Sequence, residues 1–347
     1  MTGVSDANVP AAVGGDRQPI SRRSENRNPH GGRCPRTGVN RYRIVLLFLL
    51  LAILWGTAFP AITAGLSYIP PVLFAAIRYD IAGLLMLAYA GYVGERLLPR
   101  TRGEVALIGI GGVMLIAGYH AFLFVGQSHT TSATAAVIVA LAPVLTTAFA
   151  RMLLPTGGLS WGGIAGMMFG FSGVVVLARP SRSDLLGSDT LAATLIFVAA
   201  FSFALGSVLT RLIDDELPIE TMEAWSMLLG AVLLHLLSAA LPGESFRSIE
   251  WTGEAIFALA YLAVGASAIG FLLYFALLSA LGPVEINLVS YVVPVVATVI
   301  GWLWLGEPLL DPPTIAGFAL IATGFVLIKR RAITAELPAV RRAISRP

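Results

Sequence analysis

Arg78 and Asp80 stand two residues apart inside the apolar run 71–93. A charged side chain at the centre of a membrane helix costs about 2.5–3.5 kcal/mol, so both residues need a partner, water or a function. Two positions on a helix point about 200° apart, so they do not face each other. Arg78 suits the binding of an anionic group on a substrate, or the locking of its helix to a neighbour. Asp80 is the only acidic side chain this reading places deep in a membrane segment. It suits proton coupling, or a fixed ion pair. Tyr119 and His120 fall at a similar depth in a third apolar run, where a histidine binds anions, exchanges protons or acts as a hydrogen-bonding strut. Trp55 and Thr57 occupy the middle of the first run, and Ser202 and Ser207 the middle of the sixth. An aromatic wall with hydroxyls suits a substrate cavity, and plain helix packing uses the same residues. Asn287 and Tyr291 are four apart and share a face, just before Pro294. No histidine, cysteine or carboxylate shows metal-ligand spacing, and no cofactor motif is present. HExxH and the P-loop are missing, so the chain is not read as an enzyme or an ATP hydrolase.

These residues sit in a chain made for lipid. Of its 347 residues 56% are hydrophobic and only 12% charged, against roughly 25% charged in a soluble domain. Ten apolar segments are expected, near 44–64, 71–93, 104–126, 130–154, 160–178, 189–212, 218–241, 254–277, 283–305 and 312–330. Each is about long enough to cross a 30 Å hydrocarbon layer. Residues 1–43 are rich in Pro, Gly, Ser, Asn and Arg and read as a disordered basic tail, without the apolar core of a signal peptide. Cys34, the single cysteine, lies in that tail. Residues 331–347 form a second basic tail.

Alternating the segments from a cytoplasmic N-terminus puts 19 basic residues on the cytoplasmic side and three on the other. That asymmetry predicts both termini inside, in a multi-pass protein of the cell membrane. A shift of 151 residues lays 128–179 onto 279–330. Pro143 falls on Pro294, Thr147 on Thr298, Gly166 on Gly317 and Gly173 on Gly324, with 12 identities in the 54 pairs from Gly126. Prolines and glycines set backbone shape, so these identities carry the repeat. Residues 44–179 and 189–330 then form two five-helix repeats. Five is odd, so the halves enter from opposite sides, which makes an all-α membrane fold with an inverted repeat. Pro71 and Gly83 align more loosely with Pro218 and Gly230. Gly162, Gly166 and Gly170 form a small-residue ridge that calls for a close helix neighbour.

The pattern resembles the EamA-type transporters of the drug/metabolite transporter superfamily. The residues that carry the likeness are Trp55-Gly56-Thr57-Ala58-Phe59, Arg78, Ala140–Val144 and Leu305-Gly306-Glu307-Pro308. The likeness implies two EamA repeats over roughly 44–330 and transport of small metabolites, often export. One departure is clear: Leu154-Pro155-Thr156 stands where the family often repeats Leu-Gly-Glu, so Glu307 has no symmetric counterpart.

The function expected is secondary transport of small polar metabolites, amino acids or drug-like compounds, outward, by alternating access. The expected partners are a small-molecule substrate, the lipid bilayer and protons as a candidate coupling ion. Nucleic acid is not among them, and the chain reads equally as a monomer or a homodimer. Two other classes compete: an intramembrane lipid-modifying enzyme, which wants clustered acids and histidines near one interface, and a channel or non-transporting scaffold.

Overall fold

The computed structural model describes residues 41–154, 161–178, 187–281, 286, 288–309 and 311–327, and every regular element among them is helical. Eight of these helices are long and apolar enough to cross a membrane. They are α1 (Tyr42–Leu66), α2 (Pro71–Tyr92), α3 (Arg102–Gln127), α4 (Ser132–Leu153), α5 (Trp161–Ala178), α6 (Ser188–Leu212), α7 (Ile219–Ala240) and α8 (Gly253–Leu281). Two shorter apolar helices follow, α9 (Val289–Leu305) and α10 (Pro312–Leu327). The two basic tails expected from the sequence lie, but for a few residues, outside the described residues, as does Asn287.

The helix starts follow local chemistry. Pro70 and Pro218 precede α2 and α7 with nearly the same backbone angles, φ −55°, ψ 139° and φ −48°, ψ 133°. A proline cannot continue a helix backward, so it marks a sharp entry. The spacing of 148 places Pro70, one residue before the proline aligned by sequence, as the counterpart of Pro218. Thr101 and Thr252, 151 residues apart, cap α3 and α8 by accepting the N–H of Glu104 and Ala255 at 3.0 and 3.1 Å.

Both α3 and α8 loosen into π-helix at mid-length, over Gly111–Gly118 and Tyr261–Ile269. The wider turn misaligns carbonyls that an α-helix would satisfy. A side chain from a neighbouring helix meets one of them in each case. Ser202 of α6 donates to Met114 O at 2.8 Å, and Trp55 Nε1 of α1 donates to Ala266 O at 3.1 Å.

The prolines act differently in the two later helices. α4 breaks at Ala140–Leu141, just before Pro143, whose ring would meet the carbonyl four residues back. α9 runs unbroken through Pro294 from Val289 to Leu305. The threonine four residues on behaves the same way in both. Thr147 donates to Pro143 O and Thr298 to Pro294 O, each at 2.8 Å.

α2 packs antiparallel along α7, α1 lies on α9, and α3 lies on α6 and α7. α4 contacts α6 and α9, and α8 contacts α1 and α2. The glycine ridge of α5 meets α10: a methyl at Gly173 would sit 2.7 Å from Gly317 O, and Gly324 abuts Gly166 O. Large apolar side chains such as Leu46, Leu84, Val232 and Leu303 face outward, as a bundle surrounded by lipid requires.

Each end of the bundle is tied by polar links. At one end Arg96 grips Glu104 at 2.5 Å, Thr221 donates to Arg96 O at 2.8 Å and Trp225 Nε1 to Leu97 O at 2.7 Å. At the other end the Glu244 carboxylate accepts the N–H groups of Val72 and Leu73 at 2.9 and 2.8 Å. Tyr68 donates to Glu254 at 2.9 Å, and that bond and charge hold the phenol above its usual value. Glu307 accepts from Ser132 N and Oγ, both at 2.9 Å. Gly306, left-handed at φ +67°, ends α9 and turns Glu307 back to that position.

Candidate functional site

Arg78 is 6% exposed and makes no ion pair among the described residues. Its Nε donates to Ser267 Oγ of the π segment in α8 at 3.0 Å. The guanidinium lies 5.0 Å from the Tyr79 ring centroid and 5.9 Å from that of Phe124. Aromatic faces and one hydroxyl therefore carry a charge that a carboxylate would ordinarily hold. Among the described residues the arginine is left with free donors and no anion.

His120 is committed to its neighbours. Its Nδ1 lies 2.9 Å from Ile116 O, which can only accept, so Nδ1 carries the proton. Nε2 of the neutral ring then accepts from Tyr79 OH at 2.6 Å. Both nitrogens are used inside the protein, which is the geometry of a strut. Tyr119 beside it packs edge-on against His120 at 4.5 Å and lies tilted 5.4 Å from Phe203. Its phenol lies within electrostatic reach of Arg78 and Tyr79.

Trp55 lies tilted against Tyr274 at 5.3 Å and meets Phe271 edge-on at 6.0 Å, while its indole N–H holds Ala266 O. Tyr261 donates to Leu54 O at 3.0 Å and lies beside Thr57. The structure thus gathers Trp55, Thr57, Arg78, Tyr119 and His120 around the junction of α1, α2, α3 and α8. Ser202 spends its hydroxyl on the π segment of α3, and Ser207 donates to Phe203 O of its own helix at 2.8 Å. Tyr291 stands apart, with its ring 4.7 Å from Phe325 and its buried hydroxyl without a partner among the described residues.

Asp80 points away from Arg78, as their spacing requires. Its Oδ2 lies 2.7 Å from His235 Nε2 of α7, with side-chain exposures of 41% and 30%. Phe246 stacks on the His235 ring at 5.9 Å. The pair faces the exterior of the bundle and not the Arg78 pocket.

Sequence reasoning missed Glu223. It stands four residues past the start of α7, where it reads as a helix-end residue facing water. The structure buries it to 8% exposure, with no hydrogen bond or ion pair among the described residues. It lies within electrostatic reach of the phenols of Tyr79 and Tyr274. The available signal was its place on the Glu223–Ser226–Gly230 face that packs inward.

Known proteins resemble this chain. An uncharacterized inner membrane transporter, YedA of Escherichia coli (strain K12), is 31% identical over 261 residues, 75% of this chain and 82% of that protein. An uncharacterized transporter, YvbV of Bacillus subtilis (strain 168), is 27% identical over 86% of this chain and 95% of its own length. A probable terminal-alkyne amino-acid exporter of Streptantibioticus cattleyicolor is 29% identical over 84% and 95%. One solved crystal structure superposes with a TM-score of 0.59 at 25% identity, covering 85% of this chain and 99% of that one. Two stretches, 42–179 and 190–330, match the EamA-like transporter family. With nearly all of its apolar helices inside those two matches, this multi-pass membrane chain belongs to the EamA-like transporter family.

Proposed function

We propose that the chain is a secondary exporter of small polar metabolites of amino-acid type, working by alternating access of two inverted repeats. The observation that carries this reading is Arg78, a buried cation left with free donors beside aromatic walls. A buried charge without a counterion is costly, and a substrate anion would offset that cost when bound. The relative named as a probable amino-acid exporter supports the same substrate class.

In this reading both termini are cytoplasmic and the Glu307 end faces outward. The cavity lies between α1, α3, α4, α6, α8 and α9, with Trp55, Thr57, Arg78 and Tyr119 on its walls. Ser202 and His120 hold those walls in place. The reciprocal glycine contacts of α5 and α10 and the paired π segments support a two-fold relation of the repeats. Asp80 with His235 is the proposed site of proton coupling.

The test is flux in proteoliposomes loaded with amino acids, with and without a pH gradient. Gradient-driven export that Arg78→Gln reduces about tenfold or more, as loss of charged hydrogen bonds of about 1.5–3 kcal/mol implies, is the expected result. Crosslinks that tie the Glu307 ends of the two repeats together while transport continues at full rate would refute alternating access.

A further inference from the structure

Helices α2 and α7 cross where Gly83 meets Leu228, with a methyl at Gly83 only 3.1 Å from the Leu228 backbone nitrogen. Arg78 lies five residues before Gly83 and Glu223 five residues before Leu228. The helices are antiparallel: Asp80 reaches His235, whereas Trp225 reaches Leu97 past the far end of α2. The two charges therefore stand on opposite sides of the crossing, with Cα atoms about 15 Å apart along the helix axes at 1.5 Å per residue.

Both are more than nine-tenths buried, and among the described residues neither has an ionic partner. They nevertheless share surroundings. The Arg78 guanidinium lies over the Tyr79 ring, and both charges act on the Tyr79 phenol. Glu223 also lies within electrostatic reach of Tyr274, whose ring lies tilted 5.3 Å from that of Trp55. Arg211, at the exposed end of α6, makes no ion pair with Glu223. Two opposite charges this deeply buried, without an ionic partner among the described residues, are each destabilising, since desolvation is not repaid. One bound molecule with complementary charges would repay both.

Building on the export reading above, we infer that Arg78 and Glu223 are the two poles of a single site for a zwitterion. Arg78 takes the substrate's carboxylate, Glu223 takes its protonated amine, and Trp55 with Tyr274 walls the body of the molecule. The spacing keeps the two side chains from pairing directly, and a short zwitterion would bridge it. Glu223 thereby becomes the specificity-determining residue: a molecule with only one charge leaves the opposite pole unpaired.

The test measures binding to the purified full chain in detergent. The probes are L-phenylalanine, L-leucine and L-threonine, each with its N-acetyl form, which lacks the ammonium, and its decarboxylated amine, which lacks the carboxylate. Wild type is expected to bind at least one zwitterion about tenfold or more tighter than either analogue, in line with charge-assisted hydrogen bonds. Glu223→Gln should abolish the preference over the N-acetyl form and keep the preference over the amine, and Arg78→Gln should do the reverse. Should Glu223→Gln fail to fold, Glu223→Asp, with a shorter reach, is expected to narrow the same preference without abolishing it. The inference is overturned if no zwitterion binds, if wild type does not discriminate, or if the folded Glu223 variants keep the full wild-type preference. Flux separates the two readings: zwitterion binding without transport refutes export alone, whereas transport of an N-acetyl substrate at the zwitterion's rate refutes the two-pole site alone.

Discussion

Gly173 on α5 lies against the carbonyl of Gly317 on α10, and Gly324 lies against that of Gly166. The shift of 151 residues exchanges the members of these two contacts, because it carries Gly166 to Gly317 and Gly173 to Gly324. A pair of contacts that maps onto itself in this way behaves as an isologous interface inside one chain.

A side chain at this contact must force the helices apart. Gly173→Ala and Gly324→Ala are each expected to destabilise by about 1–3 kcal/mol, the usual cost of overpacking. Gly109→Ala is the control, because the space beside Gly109 is open. Its expected effect is neutral or stabilising, through the gain in helix propensity. Thermal unfolding in detergent reads all three, and equal midpoints for the three variants would show that the contact is loose.

Arg78 separates function from stability. A structural lock loses about 3–5 kcal/mol when one partner of a buried ion pair is removed. Arg78 has no such partner among the described residues, only Ser267 and aromatic rings. Arg78→Gln is therefore expected to unfold at the wild-type temperature or above while transport collapses. A large drop in unfolding temperature would make the residue a lock.

How much of this was legible in the sequence depended on what each residue controls. Pro143, Pro294 and the repeated glycines gave the repeat, because they act on their own backbone. Leu305-Gly306-Glu307 marked the end of α9, because a left-handed glycine turn is local chemistry. The angle between Arg78 and Asp80 followed from helix geometry alone. Glu223 was not legible, because its burial depends on how α7 packs against other helices. His235 as the partner of Asp80 is likewise a contact between helices 155 residues apart. The π segments of α3 and α8 have no residue signature. They show only through the neighbours Ser202 and Trp55 that satisfy their carbonyls.

The proposed site of proton coupling pairs Asp80 with His235. His235 faces Asp80 and Phe246, and the pair is partly exposed. Asp80→Asn is expected to abolish the acceleration of transport by a pH gradient while leaving substrate exchange intact. Poor expression together with loss of both activities would assign the pair to the packing of α2 on α7.

The orientation can be read with one exposed position. Ser67 is exposed between α1 and α2, and the charge asymmetry predicts that it lies outside. In a chain without Cys34, Ser67→Cys should react with a membrane-impermeant thiol reagent in intact cells. A cysteine restored at position 34 should stay unlabelled until the cells are opened. The opposite pattern would invert the topology.

The last prediction concerns Glu307. It accepts hydrogen bonds from Ser132 N and Oγ at the start of α4, where the helix dipole favours a negative charge. Ser132 in turn contacts Thr63 at 3.0 Å, and Gln127 donates to Thr63 at 2.9 Å and to Phe59 O at 2.6 Å. This chain joins α1, α3 and α4 to the loop after α9, so it crosses from the first repeat to the second. It fits a clamp that holds this end closed. The repeat puts Thr156 at the corresponding position of the first half, where no carboxylate can form an equal clamp. Opening is then expected to be asymmetric, with this end the more tightly held. Glu307→Gln keeps the shape but removes the charge, and charge-assisted bonds of about 1.5–3 kcal/mol correspond to a population shift of roughly tenfold or more. Thr63→Cys reports the change, because it sits within the clamp. Its labelling from outside should rise by about that factor when Glu307→Gln is added, with the unfolding temperature lowered only slightly. Unchanged labelling in a folded double variant would show that Glu307 only caps α4 and does not restrain opening.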